Sequence, residues 1–247
     1  MLANLLPTDV TVSEATTDPA DVALHPEELA LIAHSVEKRR LEFATVRWCA
    51  RRAMEQLGVE PRPVLPGRRG VPQWAPGIVG SMTHCAGYRA AALARAGEFT
   101  ALGIDAEPDE PLPEGILESI ALPEEMRWIR QLNRAVPEVS WGRLLFSIKE
   151  SVYKAWFPLT GQELDFPDAS VAVDPATGRF RARLVPVGMA LSPAGPAVFD
   201  GRWAAENGVL VSATWVPAPA RNDEERSPRC AAGSAVSGAG AAGRRED

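Results

Sequence analysis

Two stretches of the chain carry apolar residues at helical period, and each is followed by a series of shorter apolar runs. In the first stretch Leu41, Val46, Cys49, Ala50, Ala53, Met54 and Leu57 recur close to every 3.6 residues, so a helix is expected from Val36 to Leu57, stopped by Gly58. A shorter helix, Glu27 to His34, is expected behind Pro26, and Val10-Thr11-Val12 alternates as an edge strand would. The Pro- and Gly-rich segment from Pro61 to Gly77 reads as a loop. Strands are expected next at Ile78–Cys85, Tyr88–Ala94 and Phe99–Ala106, the first two joined by a tight turn at Ala86-Gly87. After the Pro111/Pro113 linker come helical pieces at Glu114–Ala121 and Glu124–Ala135. A stronger helix follows from Trp141 to Phe157, ended by Pro158. Strands then read at Ser170–Val173, Arg179–Val185, Ala197–Ala204 and Val209–Val216, the first pair joined by the turn residues Asp174-Pro175-Ala176-Thr177-Gly178.

Helix followed by meander, twice, implies an α+β protein. It reads as a pseudo-twofold pair of similar halves, each a helix plus a three-stranded antiparallel meander, with an active site in the cleft between them. The halves divide at residues 1–107 and 108–217. Residues 218–247 are rich in Ala, Gly, Ser, Pro and charge, and read as a disordered tail.

Composition narrows the class. Hydrophobic content of 46% with 23% charged residues fits a soluble globular protein. Cys49, Cys85 and Cys230 are too few and too widely spaced for a disulfide framework or a zinc site, and no apolar run reaches membrane-spanning length. A reduced, cytoplasmic protein is expected. The net charge of −6 hides an asymmetry: Ser35–Gly70 holds nine basic residues against four acids, while Ala96–Met126 holds nine acids and no Lys or Arg. A basic segment facing an acidic one suits a polyanion held by direct pairing and by a bridging metal, although two unrelated solvated faces would give the same counts.

The acidic segment contains Gly103-Ile104-Asp105-Ala106-Glu107. On a strand, Asp105 and Glu107 point to one face with Cα atoms about 6.6 Å apart. Two carboxylates side by side on an apolar strand repel and resist burial, so a cation belongs between them, and a hard ion such as Mg²⁺ fits oxygen ligands. A second cluster lies on the strong helix, where Glu150 and Lys154 share a face at i and i+4 with Ser147 one turn earlier. The chain uses only three lysines, and two of them, Lys149 and Lys154, fall in this helix. An ammonium that can release a proton is wanted there, or else this is an ordinary surface Glu–Lys pair. A third stretch, Gly80-Ser81-Met82-Thr83-His84-Cys85, puts His84 on the first strand of the meander. Cys85 beside it points to the opposite face, so the two do not form a catalytic pair.

Taken together, GSMTH, GIDAE and FSIKESVYKAWF, with RRLEFATVRWCARRA and LPGRRGVPQW upstream, resemble the signature motifs of the Sfp-type 4′-phosphopantetheinyl transferase superfamily. The nearest branch is that of the enterobactin-synthetase component D proteins, and the resemblance runs from Pro26 to Val216. It implies Mg²⁺-dependent transfer of the phosphopantetheine arm of coenzyme A to a serine of an apo acyl or peptidyl carrier protein. Adenosine 3′,5′-bisphosphate would leave, and the carriers would serve fatty acid, polyketide or nonribosomal peptide biosynthesis. By the same resemblance Asp105, Glu107 and Glu150 are metal ligands, and Glu150 is alternatively the base for the carrier serine. Asp105, Glu150 and Lys154 are the catalytic set. The coenzyme's phosphates would be held by Arg39, Arg47, Gly67, Arg68, Arg69, Thr83, His84, Lys149 and Lys154. Some relatives carry lysine where this chain has Pro66, and Arg68 or Arg69 would supply that charge. The expected partners are coenzyme A and carrier proteins or domains, with no nucleic acid, no membrane and a monomeric state. A non-catalytic carrier-binding protein of the same fold is the alternative reading. A nucleic-acid binder fits the acidic balance poorly.

Overall fold

The computed structural model describes residues 1–185 and 195–219. In chain order it contains β1 (Thr11–Ala15), α1 (Pro26–Leu31), α2 (Glu37–Gln56), β2 (Ile78–Cys85), β3 (Tyr88–Arg95), β4 (Phe99–Pro108), α3 (Ile116–Ile120), α4 (Pro123–Ala135), α5 (Trp141–Thr160), β5 (Ala169–Asp174), β6 (Arg179–Leu184), β7 (Val198–Glu206) and β8 (Val209–Pro217). The α+β class holds, with two 20-residue helices, α2 and α5, each laid on an antiparallel sheet. The expected tail lies outside the described residues from position 220 onward.

The strand partners differ from the expected meander in the first half. The three-stranded sheet has the order β1-β3-β2, and β4 joins the second sheet as its edge, in the order β4-β8-β7-β6-β5. Val10-Thr11-Val12 does belong to an edge strand, since β1 pairs only with β3. The cause lies in how β4 is covered. Its Leu102, Ile104 and Ala106 pack with Leu2, Val10, Tyr88 and Val211, while Gly103 on the opposite face meets α5. A strand buried on both faces needs a partner along its edge, and β8 supplies it from Phe99 to Pro108.

Beside β4 on its other edge runs β2, joined to it by side chains. Ile104 N–H donates to Ser81 Oγ at 3.1 Å and Ala106 N–H to Thr83 Oγ1 at 2.9 Å. The matching offset means that β2 and β4 run parallel, with two hydroxyls standing where a ladder would form.

β3 shows why small residues line the first sheet. Ala91 and Leu93 face Cys49, Ala50, Ala53 and Met54 of α2, whereas Ala90, Ala92 and Ala94 face the cluster around β4. Alanine on both faces lets two layers approach one strand. In the second half Leu144, Leu145, Ile148 and Val152 of α5 pack on Phe180, Ala182 and Phe199, and Trp141 meets Trp203 edge-on at 5.3 Å.

α5 also runs past its expected stop. Pro158 lies inside the helix, which continues to Thr160 and ends at Gly161 in the left-handed conformation (φ 66°). A proline removes one N–H in the last turn, and Thr160 Oγ1 donates to Trp156 O nearby, so the helix survives to its glycine cap.

Among the described glycines the tightest surroundings are those of Gly103, where β4 meets α5. A Cβ placed on Gly103 would stand 1.9 Å from Ser151 O and 2.9 Å from Ala155 N. Both are backbone atoms, so no rotamer change relieves the clash. Gly103→Ala is therefore expected to cost about 3 kcal/mol, at the upper end of overpacking penalties, read as a lowered urea midpoint.

Candidate active site

Gly103, Asp105 and Glu107 alternate along the face of β4 that looks toward α5, and α5 answers them with cations. Lys154 Nζ donates to Asp105 Oδ1 at 2.7 Å, and Arg143 pairs with Glu107 at 3.1 Å. Arg143 uses its other nitrogens on Glu110 O and Pro111 O, which fastens the start of the linker to the helix. Thr83 Oγ1 also donates to Asp105 Oδ1, at 3.4 Å. The second oxygen of Asp105, Oδ2, is buried with no hydrogen-bond partner among the described residues.

Glu150 is half-buried on the same helix and has no ion pair among the described residues. Desolvation, helped by the charge of Asp105, raises its pKa against the opposing pull of Lys154. Glu107 is raised for the same first cause and by the same neighbour, with Arg143 opposing. The cluster thus holds three carboxylates against two cations.

The opposite wall of the cleft is basic. Arg39, Phe43, Val46 and Arg47 of α2, Pro66 and Arg69 of the loop, and Thr83 and His84 of β2 line a cavity of about 660 Å³ together with Glu150 and Lys154. The guanidinium of Arg47 lies 3.3 Å from the centre of the Phe43 ring, and its Nε is buried without a hydrogen-bond partner among the described residues. Burial, opposed by Glu28 and reinforced by Arg39 and Arg51, lowers its pKa to about 10. It stays charged at neutral pH, and among the described residues no carboxylate is ion-paired with it.

Arg39 Nη1 lies 2.7 Å from His84 Nε2. A guanidinium can only donate, so this ring nitrogen accepts and the proton sits on Nδ1. Desolvation first, then Arg39, keeps the His84 pKa below its ordinary value. The loop closes the far end: Arg69 pairs with Glu163 at 2.7 Å, Tyr153 donates to the same carboxylate at 3.0 Å, and Arg68 reaches Gly161 O at 3.4 Å above the Phe157 ring. Gly67 begins this turn, its N–H donating to Val71 O.

The expected metal ligands fit a hard divalent cation in chemistry rather than as a finished cage. Among the described residues no three His, Cys, Asp or Glu side chains stand grouped as a metal site. Yet Asp105 Oδ2 is a buried carboxylate oxygen with no donor, and Mg²⁺ is commonly held by one or two carboxylates with the remaining ligands from substrate phosphates and water.

Comparison with known proteins decides what this cleft belongs to. Residues 27–94 match the 4′-phosphopantetheinyl transferase N-terminal domain, and residues 101–189 match the 4′-phosphopantetheinyl transferase superfamily. The chain is 53% identical over 228 residues to 4′-phosphopantetheinyl transferase Svp of Streptomyces mobaraensis, covering 91% of this chain and 93% of that protein. It is 45% identical over 222 residues to the transferase PptT of Mycobacterium tuberculosis, covering 86% and 96%. To the transferase Npt of Nocardia iowensis it is 42% identical over 221 residues, covering 86% and 98%.

The chain belongs to the 4′-phosphopantetheinyl transferase superfamily.

Of the residues expected to serve this transferase, the fold brings Arg39, Arg47, Arg69, Thr83, His84, Glu150 and Lys154 to one cavity, with Asp105 bonded to Lys154 in its wall. Gly67 and Arg68 belong to the loop at its edge. Lys149 goes elsewhere. It is 3% exposed and donates to Glu125 Oε2, Ile120 O and Phe166 O at 2.7 to 2.9 Å. Next to Glu150 in sequence, it points into the second half because neighbours on a helix diverge by about 100°. Glu125 in turn accepts from Leu122 N–H and Val171 N–H, so the pair ties α4, α5 and β5 together.

Arg143 escaped the sequence reading, although a signal was present. Arg143, Ser147, Glu150 and Lys154 follow the spacing 4, 3, 4, so the face already traced through Ser147 extends one turn back to it. Glu42, Arg89 and Asp18, which stand behind His84, carried no such signal, because only tertiary contact joins them.

Removing Lys149 leaves a buried carboxylate without its cation. Lys149→Met is expected to destabilise the protein by about 3–5 kcal/mol in urea unfolding while leaving the affinity of the folded fraction for coenzyme A unchanged.

Proposed function

We propose that this transferase moves the 4′-phosphopantetheine moiety of coenzyme A to a serine hydroxyl of an apo acyl or peptidyl carrier protein and releases adenosine 3′,5′-bisphosphate. The reading is carried by one observation: Lys154 of α5, bonded to Asp105 of β4, stands in the wall of the same cleft that Arg39, Arg47 and His84 line from the first half. A pyrophosphate needs cations around it and a group able to take a proton from the attacking hydroxyl, and that cleft supplies both.

Each residue has a part. Arg39, Arg47, His84 and Arg69 bind the phosphates of coenzyme A, with Arg47 offering a buried Nε that has no hydrogen-bond partner among the described residues. Lys154 is held by Asp105 and donates to the pyrophosphate, countering charge as the leaving group departs. The carrier serine forms a bond to the phosphorus that bears the pantetheine arm, and the bond from that phosphorus to the leaving phosphate breaks. Glu150 takes the serine proton, directly or through a water, and burial raises its pKa, which makes it a stronger proton acceptor than an exposed carboxylate. Asp105 and Glu107, with Glu150 as third carboxylate, would hold Mg²⁺, which would supply positive charge against the pyrophosphate. The enzyme is proposed to act as a cytoplasmic monomer on carriers of fatty acid, polyketide or nonribosomal peptide synthesis, with no nucleic acid or membrane involved. No helix of the described residues is long and apolar enough to cross a membrane. Cys49 and Cys85 are free buried thiols, pushed up by burial to about 11 and about 12.

Incubation with coenzyme A, Mg²⁺ and a panel of apo carriers, followed by intact-mass measurement, tests the proposal. A carrier gaining one phosphopantetheine is expected, and its loss in excess chelator supports the metal. Asp105→Ala, Glu107→Ala and Glu150→Ala should each abolish labelling, and Lys154→Ala should slow it by about 10²–10³-fold. Undiminished labelling by all three carboxylate variants would overturn the mechanism.

A further inference from the structure

The phosphate-binding wall contains a carboxylate that none of these roles uses. Glu42 lies on α2, buried at 9% exposure, behind His84. Its Oε2 stands 3.7 Å from His84 Nδ1 and its Oε1 stands 3.9 Å from Arg89 Nη2. Both distances are within ion-pair range and beyond a hydrogen bond. Arg89 is itself buried and committed elsewhere, to Asp18 at 3.0 Å and to Cys85 O at 2.8 Å. Asp18 accepts from Thr45 on α2 as well, which braces the arrangement from the loop after β1. A carboxylate kept this far from water, with its nearest cation already paired, is placed for a charge that is absent while His84 is neutral.

The His84 ring defines when that charge appears. With Arg39 donating to Nε2, the ring is neutral and its Nδ1–H faces Glu42. A phosphate entering the cleft draws Arg39 away and presents oxygen lone pairs to the Nε2 lone pair. Two acceptors face each other unless a proton is added. Taken up from solvent onto Nε2, that proton lets the ring donate to phosphate on one side while Nδ1–H faces the Glu42 carboxylate on the other.

We infer that Glu42 is the positioning residue for His84: it orients the ring and stabilises the imidazolium formed when a coenzyme A phosphate binds, so that binding takes up one proton. This rests on the proposed assignment of His84 and Arg39 to phosphate. The charged groups facing the ring are Arg39 and Glu42 from α2, Arg89 from β3 and Lys154 from α5. Three are cations that oppose protonation, and Glu42 alone favours it. The sign follows: a bound His84 with a raised pKa makes coenzyme A bind more tightly as pH falls, and affinity is lost as pH rises through that bound value.

The test uses the full chain in two measurements. Calorimetry of coenzyme A binding in buffers of different ionisation enthalpy near pH 7 should show net proton uptake in the wild type and its loss in Glu42→Gln. The KM for coenzyme A should rise by roughly tenfold in that variant, the factor given by one unit of pKa, with the effect falling on KM rather than kcat. Glu42→Asp should recover most of the uptake. Separately, NMR titration of His84 in the free protein should show its pKa moving down in Glu42→Gln. Binding without proton uptake in the wild type, or an unchanged His84 titration in Glu42→Gln, overturns the inference. A wild type that binds no coenzyme A sinks the proposed function instead, and the titration of the free protein still decides whether Glu42 acts on His84.

Discussion

A buried strand that carries two carboxylates on one face must find positive charge within reach, and the second half of this protein is built to bring it there. β4 is covered on both sides at Asp105, which cannot turn to water, while Glu107 nearer the strand's end is half-buried. α5 comes close enough to answer them only because Gly103 offers no side chain at the crossing. Once the helix is seated, Lys154 and Arg143 reach the two acids from turns nearly three apart. The balance is deliberately short in charge terms: Glu150 adds a third acid, and the two cations leave one negative charge and one unbonded oxygen in the wall.

The other wall has the opposite deficit. Arg47 is stacked on Phe43 with a buried nitrogen unanswered, and Arg39 rests on a neutral imidazole. Each wall therefore holds a buried atom without a hydrogen-bond partner among the described residues, a carboxylate oxygen in one and a guanidinium nitrogen in the other. A polyanionic substrate accompanied by a cation satisfies both at once, and a neutral ligand of the same size would satisfy neither. Of the basic residues in Ser35–Gly70, Arg39, Arg47 and Arg69 line the cavity, and of the acids in Ala96–Met126, Asp105 and Glu107 face α5.

What the sequence discloses here is local, and what it withholds depends on tertiary contact. Helix period located α2 and α5 to within a few residues, and alternation located β2 and β4, because each pattern repeats along one element. The partner of β4 was not legible: its hydrogen bonds go to β8, about a hundred residues further along the chain, and its own residues are equally compatible with β3. The same limit separated Lys149 from Lys154. Both sit in one motif, but their helix turns one toward Glu125 and the other toward Asp105, and only the packing of α4 against α5 reveals the first. Pro158 misled for the opposite reason, since a local rule about proline yielded to a glycine cap three residues on.

The join between β2 and β4 has a wider meaning for the architecture. With strand order β1-β3-β2 on one side and β4-β8-β7-β6-β5 on the other, ladder pairing across that join would fuse all eight strands into one continuous layer. The hydroxyls of Ser81 and Thr83 interrupt it, accepting from two amide N–H groups of β4 while keeping the main chains apart. One of them, Thr83, also touches Asp105, and the residue after it is His84. The acid wall and the basic wall thus meet along a break in the weave, where two short side chains replace backbone and leave the cleft's two sets of charges facing each other.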